Sequence, residues 1–484
     1  MVGAGDTHGL PSVCEGAAFR VGTGMTMQID RSLVEAALAE ASTTRHLVVE
    51  PGGLTLAGTL VPTLFPGRPV VIVADETTYA IAGDEVNAVL RAVGHPVLEP
   101  IMFPGSPSLR PDTRHVASIR GRFEAAGEPV LPLAVGSGSI NDLTKRAAHE
   151  AGLPYIAVAT AASMDGYAAS GAALIHEGVK QTFGCDAPVA VIADLDVLCA
   201  APRSMTASGY GDLVGKVTAG ADWIVADALG IEPVMPHVWE MVQGPLPALL
   251  ADPARYQAGD PDSIEQLFLG LVMTGLAIQV SGSTRCASGS EHQFSHLWEM
   301  RGLEHDGELV AHGVKVGFGS IFSAALDERF LARDWTRLDV EAAVADYPTL
   351  EATEAGIRAM DDSPALIERA LEECRAKYVD PDNLRQRLAS FREEWPRLKS
   401  RLEAQLMSAQ SLRRYLAEGG CPIEPHGIGL TLKQVRESYA AARWIRRRYT
   451  LHDLVYELGV LDDLVAEIFA PGGYWAERLD TAST

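Results

Sequence analysis

Cysteine is scarce in this chain: six in 484 residues (Cys14, Cys185, Cys199, Cys286, Cys374, Cys421), with no Cys-x-x-Cys pair among them. A chain of this size folds without disulfide staples, so reduced thiols and a cytoplasmic setting are expected. Positive charge is also short. Forty Lys and Arg against 63 Asp and Glu leave a formal net charge of -23, which argues against duplex nucleic acid or an anionic membrane surface as a partner. An anionic small substrate would need a local basic pocket. Uninterrupted apolar runs do not approach the about eighteen residues of a membrane span. The first residues, up to about Met27, carry acidic groups where a signal peptide needs a basic start and an apolar core, so residues 1–28 read as a loose leader.

What is present is a globular composition, 47% hydrophobic and 21% charged, in a chain longer than one core usually covers. Two domains are expected. Short aliphatic runs recur at Leu47–Val49, Val70–Ala74, Val97–Leu98, Val130–Val135, Tyr155–Ala159 and Val189–Ala193, the character of strands buried on both faces. Helical stretches lie between several of them, such as Glu85–Val93 and Leu143–Glu150, closed by Gly94 and Gly152. Alternation of this kind implies a parallel, doubly wound sheet over residues 29–201. Gly171–Phe183 reads as a β-hairpin leaving it. From about residue 202 to 484 amphipathic helical segments take over, among them 204–229, 263–280, 293–303, 309–326, 383–418 and 433–449, with Pro396 breaking or kinking one of them. Arg443, Arg446, Arg447 and Arg448 form the densest basic cluster, read as a solvated helix face.

Two loops follow strands directly. Gly136-Ser137-Gly138-Ser139-Ile140-Asn141-Asp142 sits at a strand-to-helix turn, where glycines and a helix N-terminus can receive a pyrophosphate, although Ser139 and Asp142 also resemble a plain capping pair. In Thr160-Ala161-Ala162-Ser163-Met164-Asp165-Gly166-Tyr167, small residues leave room for a ligand and Asp165 could accept from substrate hydroxyls, or could mark an ordinary Asp-Gly turn.

The histidine-bearing stretch Ser288-Gly289-Ser290-Glu291-His292-Gln293-Phe294-Ser295-His296 puts two imidazoles on one helix face, and Ala311-His312-Gly313 follows. Asp212, in Gly209-Tyr210-Gly211-Asp212-Leu213-Val214-Gly215-Lys216, is the upstream carboxylate that could complete a Lewis-acid site, its glycines reducing the bulk around it. Spacing alone leaves a metal site and core histidines as open alternatives. A zinc-protease helix is a poor reading, because Glu291 precedes His292 instead of following it.

These motifs together, with Ala193-Asp194-Leu195-Asp196-Val197-Leu198 and Ile445-Arg446-Arg447-Arg448-Tyr449-Thr450, resemble those of the bacterial glycerol-1-phosphate dehydrogenases. Those enzymes belong to the superfamily of iron-type alcohol dehydrogenases and dehydroquinate synthase. The resemblance runs from about Ile29 to the C-terminus. It implies a Rossmann-like α/β nucleotide-binding domain with a parallel sheet, then an all-α domain, with a metal between them as in dehydroquinate synthase. It implies Asp212, His292 and His312 as metal ligands, and Asp165 and His296 as substrate contacts with His296 relaying a proton. Gly136, Ser137, Gly138, Ser139, Ile140, Asn141, Asp142, Thr160 and Ser163 become coenzyme contacts.

The implied reaction is reversible hydride transfer between a nicotinamide coenzyme and dihydroxyacetone phosphate, giving sn-glycerol 1-phosphate for phospholipid metabolism. The metal would be zinc or nickel, with iron possible, in a homodimer or higher homo-oligomer. The chain departs from the pattern at Ala168 and Ala169, at Pro425-His426, and in a longer gap before His312 that makes His305 a competitor ligand, ranked as loop. Asp75, closing the strand Val70–Ala74, is placed to accept from an adenosine ribose and repel a 2′-phosphate, so NAD(H) is expected over NADP(H). Lys145, Lys180, Lys216 and Lys315 are the possible partners of a substrate phosphate. The alternatives are another polyol or polyol-phosphate dehydrogenase, a dehydroquinate synthase-like cyclase, or a non-catalytic binding protein.

Overall fold

The computed structural model describes residues 28–476; the expected leader as far as residue 27, and Cys14 within it, lie outside the described residues. Eight strands form along the first half: β1 (His46–Glu50), β2 (Val70–Asp75), β3 (Ile101–Phe103), β4 (Leu131–Gly136), β5 (Ile156–Ala159), β6 (Ala172–His176), β7 (Val179–Phe183) and β8 (Ala190–Asp194). Six of them make one parallel sheet in the order β1-β8-β5-β4-β2-β3. Every residue of β4, β5 and β8 is buried, because helices cover both faces of the sheet. On one face Ile72, Leu133 and Val158 pack against Val61, Val86 and Leu90. On the other, Val71 and Val73 meet Val116, Ile119 and Phe123. Each such buried side chain contributes roughly 1.5–3 kcal/mol.

The strand expected at Val97–Leu98 is reduced to a single bridge, Val70 to Val97. Glu99-Pro100 interrupts the run, proline having no N–H to give a ladder, and pairing resumes as β3. The hairpin β6–β7 forms as expected, antiparallel, with Glu177 and Gly178 at φ 51° and 81° in the turn, both left-handed as a two-residue hairpin loop requires.

Sheet order decides where a ligand can enter. From β2 the chain moves outward to β3 and then crosses back over β2 to β4, so the direction of winding reverses between β2 and β4. That is the switch point at which open α/β sheets bind ligands beyond the carboxyl ends of their strands. Val73 pairs with Ala134, and two residues further along each strand stand Asp75 and Gly136.

Past Arg203 the regular structure of the described residues is helical but for a short hairpin, Glu304–His305 with Glu308–Leu309. Helices Arg203–Ala228, Pro261–Ser281, Ser290–Met300 and His312–Leu331 build the centre of this half. Pro261–Ser281 is long and apolar enough to cross a membrane by length and composition, contrary to the reading of the sequence; most of it is buried inside the protein, which is the character of a core helix. The segment 383–418 is two helices, Pro381–Gln405 and Ala409–Glu418, and Pro396 lies inside the first. The helix expected over 433–449 stops at Ala441. The N-terminal helix Arg31–Glu40 belongs spatially with this half: Gln266 accepts from the Ile29 N–H at 2.9 Å and donates to its carbonyl at 3.1 Å.

Candidate functional site

Three helices bring the candidate ligands together, and glycine sets how closely two of them approach. A Cβ on Gly211 would stand 2.4 Å from the Gly313 carbonyl oxygen, and one on Gly313 1.8 Å from that of Ser208. Neither contact is tolerable, so helix Arg203–Ala228 lies against His312–Leu331 only because both residues are glycine. The glycines around Asp212 therefore serve helix packing, where the sequence suggested room for a ligand. Ser290–Met300 packs into the same cluster and carries His292 and His296.

Asp212, His292 and His312 offer one ligand atom each within 4.8 Å of one another, and His292 Nε2 lies 4.0 Å from Asp212 Oδ1. The rings of His292 and His312 are 5.3 Å apart. Each histidine has its other nitrogen anchored on a carboxylate. His292 Nδ1 meets Glu291 Oε1 at 2.7 Å, and His312 Nδ1 meets Glu299 Oε1 at 3.2 Å. Glu291 also accepts from the Gly289 N–H at 2.6 Å and from Thr218 Oγ1 at 2.8 Å. Glu299 is held by Lys180 at 2.8 Å and Lys315 at 3.1 Å. These pairings leave Nε2 of each imidazole as the free donor, the arrangement of ligating histidines.

Asp212 is fully buried. Burial alone would raise its carboxyl pKa, but Lys216 and the two histidines outweigh it and hold the group at about 2. Lys216 Nζ lies 2.8 Å from Asp212 Oδ1 and 2.6 Å from Asp165 Oδ2 and donates to the Ala287 carbonyl at 3.0 Å, so its three protons are committed. The Asp165 N–H donates to Asp212 Oδ2 at 2.9 Å. Asp165 itself is pushed up, by burial and then by Asp212, with Lys216 opposing. Burial pushes His292 and His296 well below the usual imidazole range, with Lys216 adding to the first and Arg446 to the second. Both rings are neutral, as ligation and proton acceptance require. Two imidazoles and a carboxylate converging in this way are the donor chemistry that would suit a divalent ion.

One cavity of about 300 Å³ joins this cluster to the sheet, lined at one end by Ser137, Gly138, Ser139 and Asp142 and at the other by His292, His296, His312 and Arg446. Asp165 and Ser163 line it between. Gly138 opens the helix Gly138–Glu150, with Ser137 as its N-cap in extended conformation. Ile140 and Asn141 are buried and outside the cavity lining; Asn141 donates to the Gly166 carbonyl and accepts from Tyr155, bracing the second loop. Thr160 and Gly136 are likewise behind the wall, tied by an N–H to carbonyl bond of 3.3 Å. Asp75 caps the three residues that follow β2, accepting from the Thr78 N–H at 2.7 Å. His305 lies on the short hairpin, away from the triad, paired at 3.6 Å with Asp306.

Of the four lysines weighed as cations for a phosphate, three are committed internally. Lys216 is described above; Lys145 donates to the carbonyls of Gly166 and Gly171 and pairs with Asp142 at 3.3 Å; Lys315 bonds Val310 O at 2.5 Å besides Glu299. Only Lys180 among them lines the cavity. The arginine cluster is no solvated helix face. Arg443 is buried between the rings of Trp444 and Tyr456, at 3.6 and 3.5 Å, and Arg448 donates to backbone carbonyls of Thr284 and Ser288. Arg446 reaches the cavity. Sequence reasoning missed Arg446, Glu291 and Glu299; the aromatic neighbours of the arginines and the acid adjoining His292 were the available signals.

A family model described as iron-containing alcohol dehydrogenase matches residues 48–202. The chain is 41% identical over 258 residues to a glycerol-1-phosphate dehydrogenase [NAD(P)+] of Halalkalibacterium halodurans, covering 53% of this chain and 64% of that relative, just under two thirds of its length. It is 33% identical over 327 residues to one from Geobacillus stearothermophilus, covering 67% of this chain and 71% of the relative. Among solved structures, the glycerol dehydrogenase of Schizosaccharomyces pombe superposes with a TM-score of 0.56 at 14% identity, over 91% of this chain and 92% of that one. Maleylacetate reductase of Agrobacterium tumefaciens gives 0.53 at 14% identity, over 90% and 97%. At that identity the likeness is one of fold.

Proposed function

Because the chain belongs to the glycerol-1-phosphate dehydrogenase family of the iron-containing alcohol dehydrogenases, we propose that it is a metal-dependent, NAD(P)-linked dehydrogenase interconverting dihydroxyacetone phosphate and sn-glycerol 1-phosphate. The observation that carries this reading is the single cavity running from the Ser137–Ser139 turn to the Asp212, His292, His312 triad. It joins a cradle for a coenzyme to a cradle for a metal.

Asp212, His292 and His312 would hold the ion, which would supply Lewis acidity to the substrate oxygen. Zinc or nickel suits two imidazoles and a carboxylate, and iron suits them too. Glu291 and Glu299 fix the two imidazole tautomers, and Lys216 holds Asp212 and Asp165 at a set separation. Asp165 keeps one carboxylate oxygen, Oδ1, for a substrate hydroxyl. His296 is neutral, faces the cavity and makes no hydrogen bond among the described residues, so it can take up or release the proton of the substrate hydroxyl.

Ser137, Gly138 and Ser139 present N–H groups at a helix N-terminus to the coenzyme pyrophosphate. Asp75, at the switch point beside Gly136, accepts from the adenosine ribose through the oxygen its cap leaves free, and its charge favours NAD(H) over NADP(H). A cytoplasmic homo-oligomer is the form expected for such an enzyme.

A second reading, a dehydrogenase of a larger phosphorylated keto-polyol, is favoured by a further cavity of about 400 Å³ that shares Lys180, Thr182, His296 and Arg446 with the first. Metal stoichiometry and coenzyme turnover in the parent and in Asp212→Ala test the main reading. Loss of both together supports it, and retention of full metal content with full activity overturns it.

A further inference from the structure

A strongly acidic chain keeps one guanidinium in its reaction cavity without a carboxylate partner. Among the residues lining the 300 Å³ cavity the only Lys or Arg are Lys180 and Arg446. Lys180 is matched by Glu299 at 2.8 Å. Among the described residues Arg446 makes two long hydrogen bonds, both to neutral oxygens, Nη1 to Ser288 Oγ at 3.3 Å and Nη2 to Thr182 Oγ1 at 3.4 Å. Among the described residues no carboxylate lies within salt-bridge distance of it, although Arg443, Arg447 and Arg369 nearby all have such partners. A half-buried cation left so is costly unless something brings the missing anion.

Lys180 and Thr182 sit on β7, the strand of the hairpin that leaves the sheet, and Arg446 sits on the irregular chain that follows the 3-10 turn Ala442–Trp444. Together they close the cavity on the side of His296 and form the wall between it and the second, larger cavity. Arginine offers a planar fork of donors matched to a phosphate, and here both ends of the fork, Nη1 and Nη2, carry only weak bonds that a phosphate can displace.

We propose that Arg446, flanked by Lys180 and Thr182, binds the phosphate of the substrate and makes the cavity selective for phosphorylated over unphosphorylated ketones. The assignment of the anion to the substrate rests on the reaction proposed above; the presence of an anion site on Arg446 does not.

The test uses the metal-loaded full chain and its Arg446→Gln form. Inorganic phosphate, titrated by calorimetry, should bind the parent and lose roughly 100-fold in affinity in the variant. KM for dihydroxyacetone phosphate should rise by a similar factor, with KM for dihydroxyacetone, KM for NADH and metal content unchanged. A parent that does not bind phosphate, or a variant that binds it equally well, overturns the anion site. A rise in KM for NADH in place of the ketone phosphate assigns Arg446 to the coenzyme and overturns the substrate assignment. If neither three-carbon ketone turns over while phosphate binding still depends on Arg446, the proposed reaction fails and the anion site stands. Should Arg446→Gln not fold, Arg446→Lys, which keeps the charge and loses the fork, should show a loss of about tenfold in the same titration.

Discussion

Glu291 and His292 are neighbours in sequence, and Glu291 Oε1 lies 2.7 Å from His292 Nδ1 within one helix, both side chains buried. That contact turns Nε2 toward Asp212. Glu291→Gln should lower metal affinity roughly 10–100-fold, the usual effect of removing an outer carboxylate from a ligating histidine, while the melting profile of the metal-free protein changes little. Competition against a chelator of known affinity measures it. Unchanged affinity would mean that the pair is structural only.

Lys216 carries the opposite burden, as the cation that bridges buried Asp212 and half-buried Asp165. Lys216→Met leaves Asp165 and Asp212 without it, and should destabilise the metal-free protein by about 3–5 kcal/mol. Saturating divalent metal should restore part of the loss, since it returns positive charge to Asp212. Denaturant unfolding with and without metal reads both values; a loss under 1 kcal/mol would refute the role.

Asp75 caps the chain after β2, so its replacement has to preserve the cap. Asparagine caps as well as aspartate does and removes the charge. Asp75→Asn should lower KM for NADP(H) by roughly tenfold, on the order of 1.4 kcal/mol of like-charge repulsion, with KM for NAD(H) little changed. Steady-state kinetics with both coenzymes decides, and an unchanged ratio removes Asp75 from the ribose site.

His452 is buried against Phe294 at 5.1 Å, with neither ring nitrogen hydrogen-bonded. Burial holds its pKa down at about 3, Asp453 opposing. An unfolded histidine takes its proton near pH 6.5, so between pH 6.5 and about 3 unfolding binds one proton more and this residue withdraws stability as pH falls. His452→Phe removes that contribution. Relative to the parent, the variant should lose about 1 kcal/mol less stability between pH 6.5 and 5.5, measured by denaturant unfolding at those two values; parallel losses in the two proteins would contradict it.

Most of the parallel sheet was legible in the sequence because strands buried on both faces are continuous aliphatic runs, as in Val70–Ala74 and Val189–Ala193. β3 was not, since Pro100 splits its run and the pairing partner decides which half becomes a strand. The convergence of Asp212, His292 and His312 was readable from motif order, but the means of convergence was not. It rests on Gly211 and Gly313 meeting across two helices 102 residues apart in sequence terms, a contact no local pattern reveals. Arg446 was misread for the same reason. A run of arginines looks solvated until Tyr456, Asp453 and the cavity are seen to divide it.

The proposed reaction is a metal-assisted hydride transfer to a phosphorylated three-carbon ketone. Oxidation of NADH by metal-reconstituted protein, compared across dihydroxyacetone phosphate, dihydroxyacetone and larger keto-polyol phosphates with product chirality determined, tests it most directly. Dihydroxyacetone phosphate should turn over to sn-glycerol 1-phosphate, and chelation should abolish the activity. Failure on both three-carbon ketones alongside turnover of a larger phosphate, or activity indifferent to chelation, would contradict it.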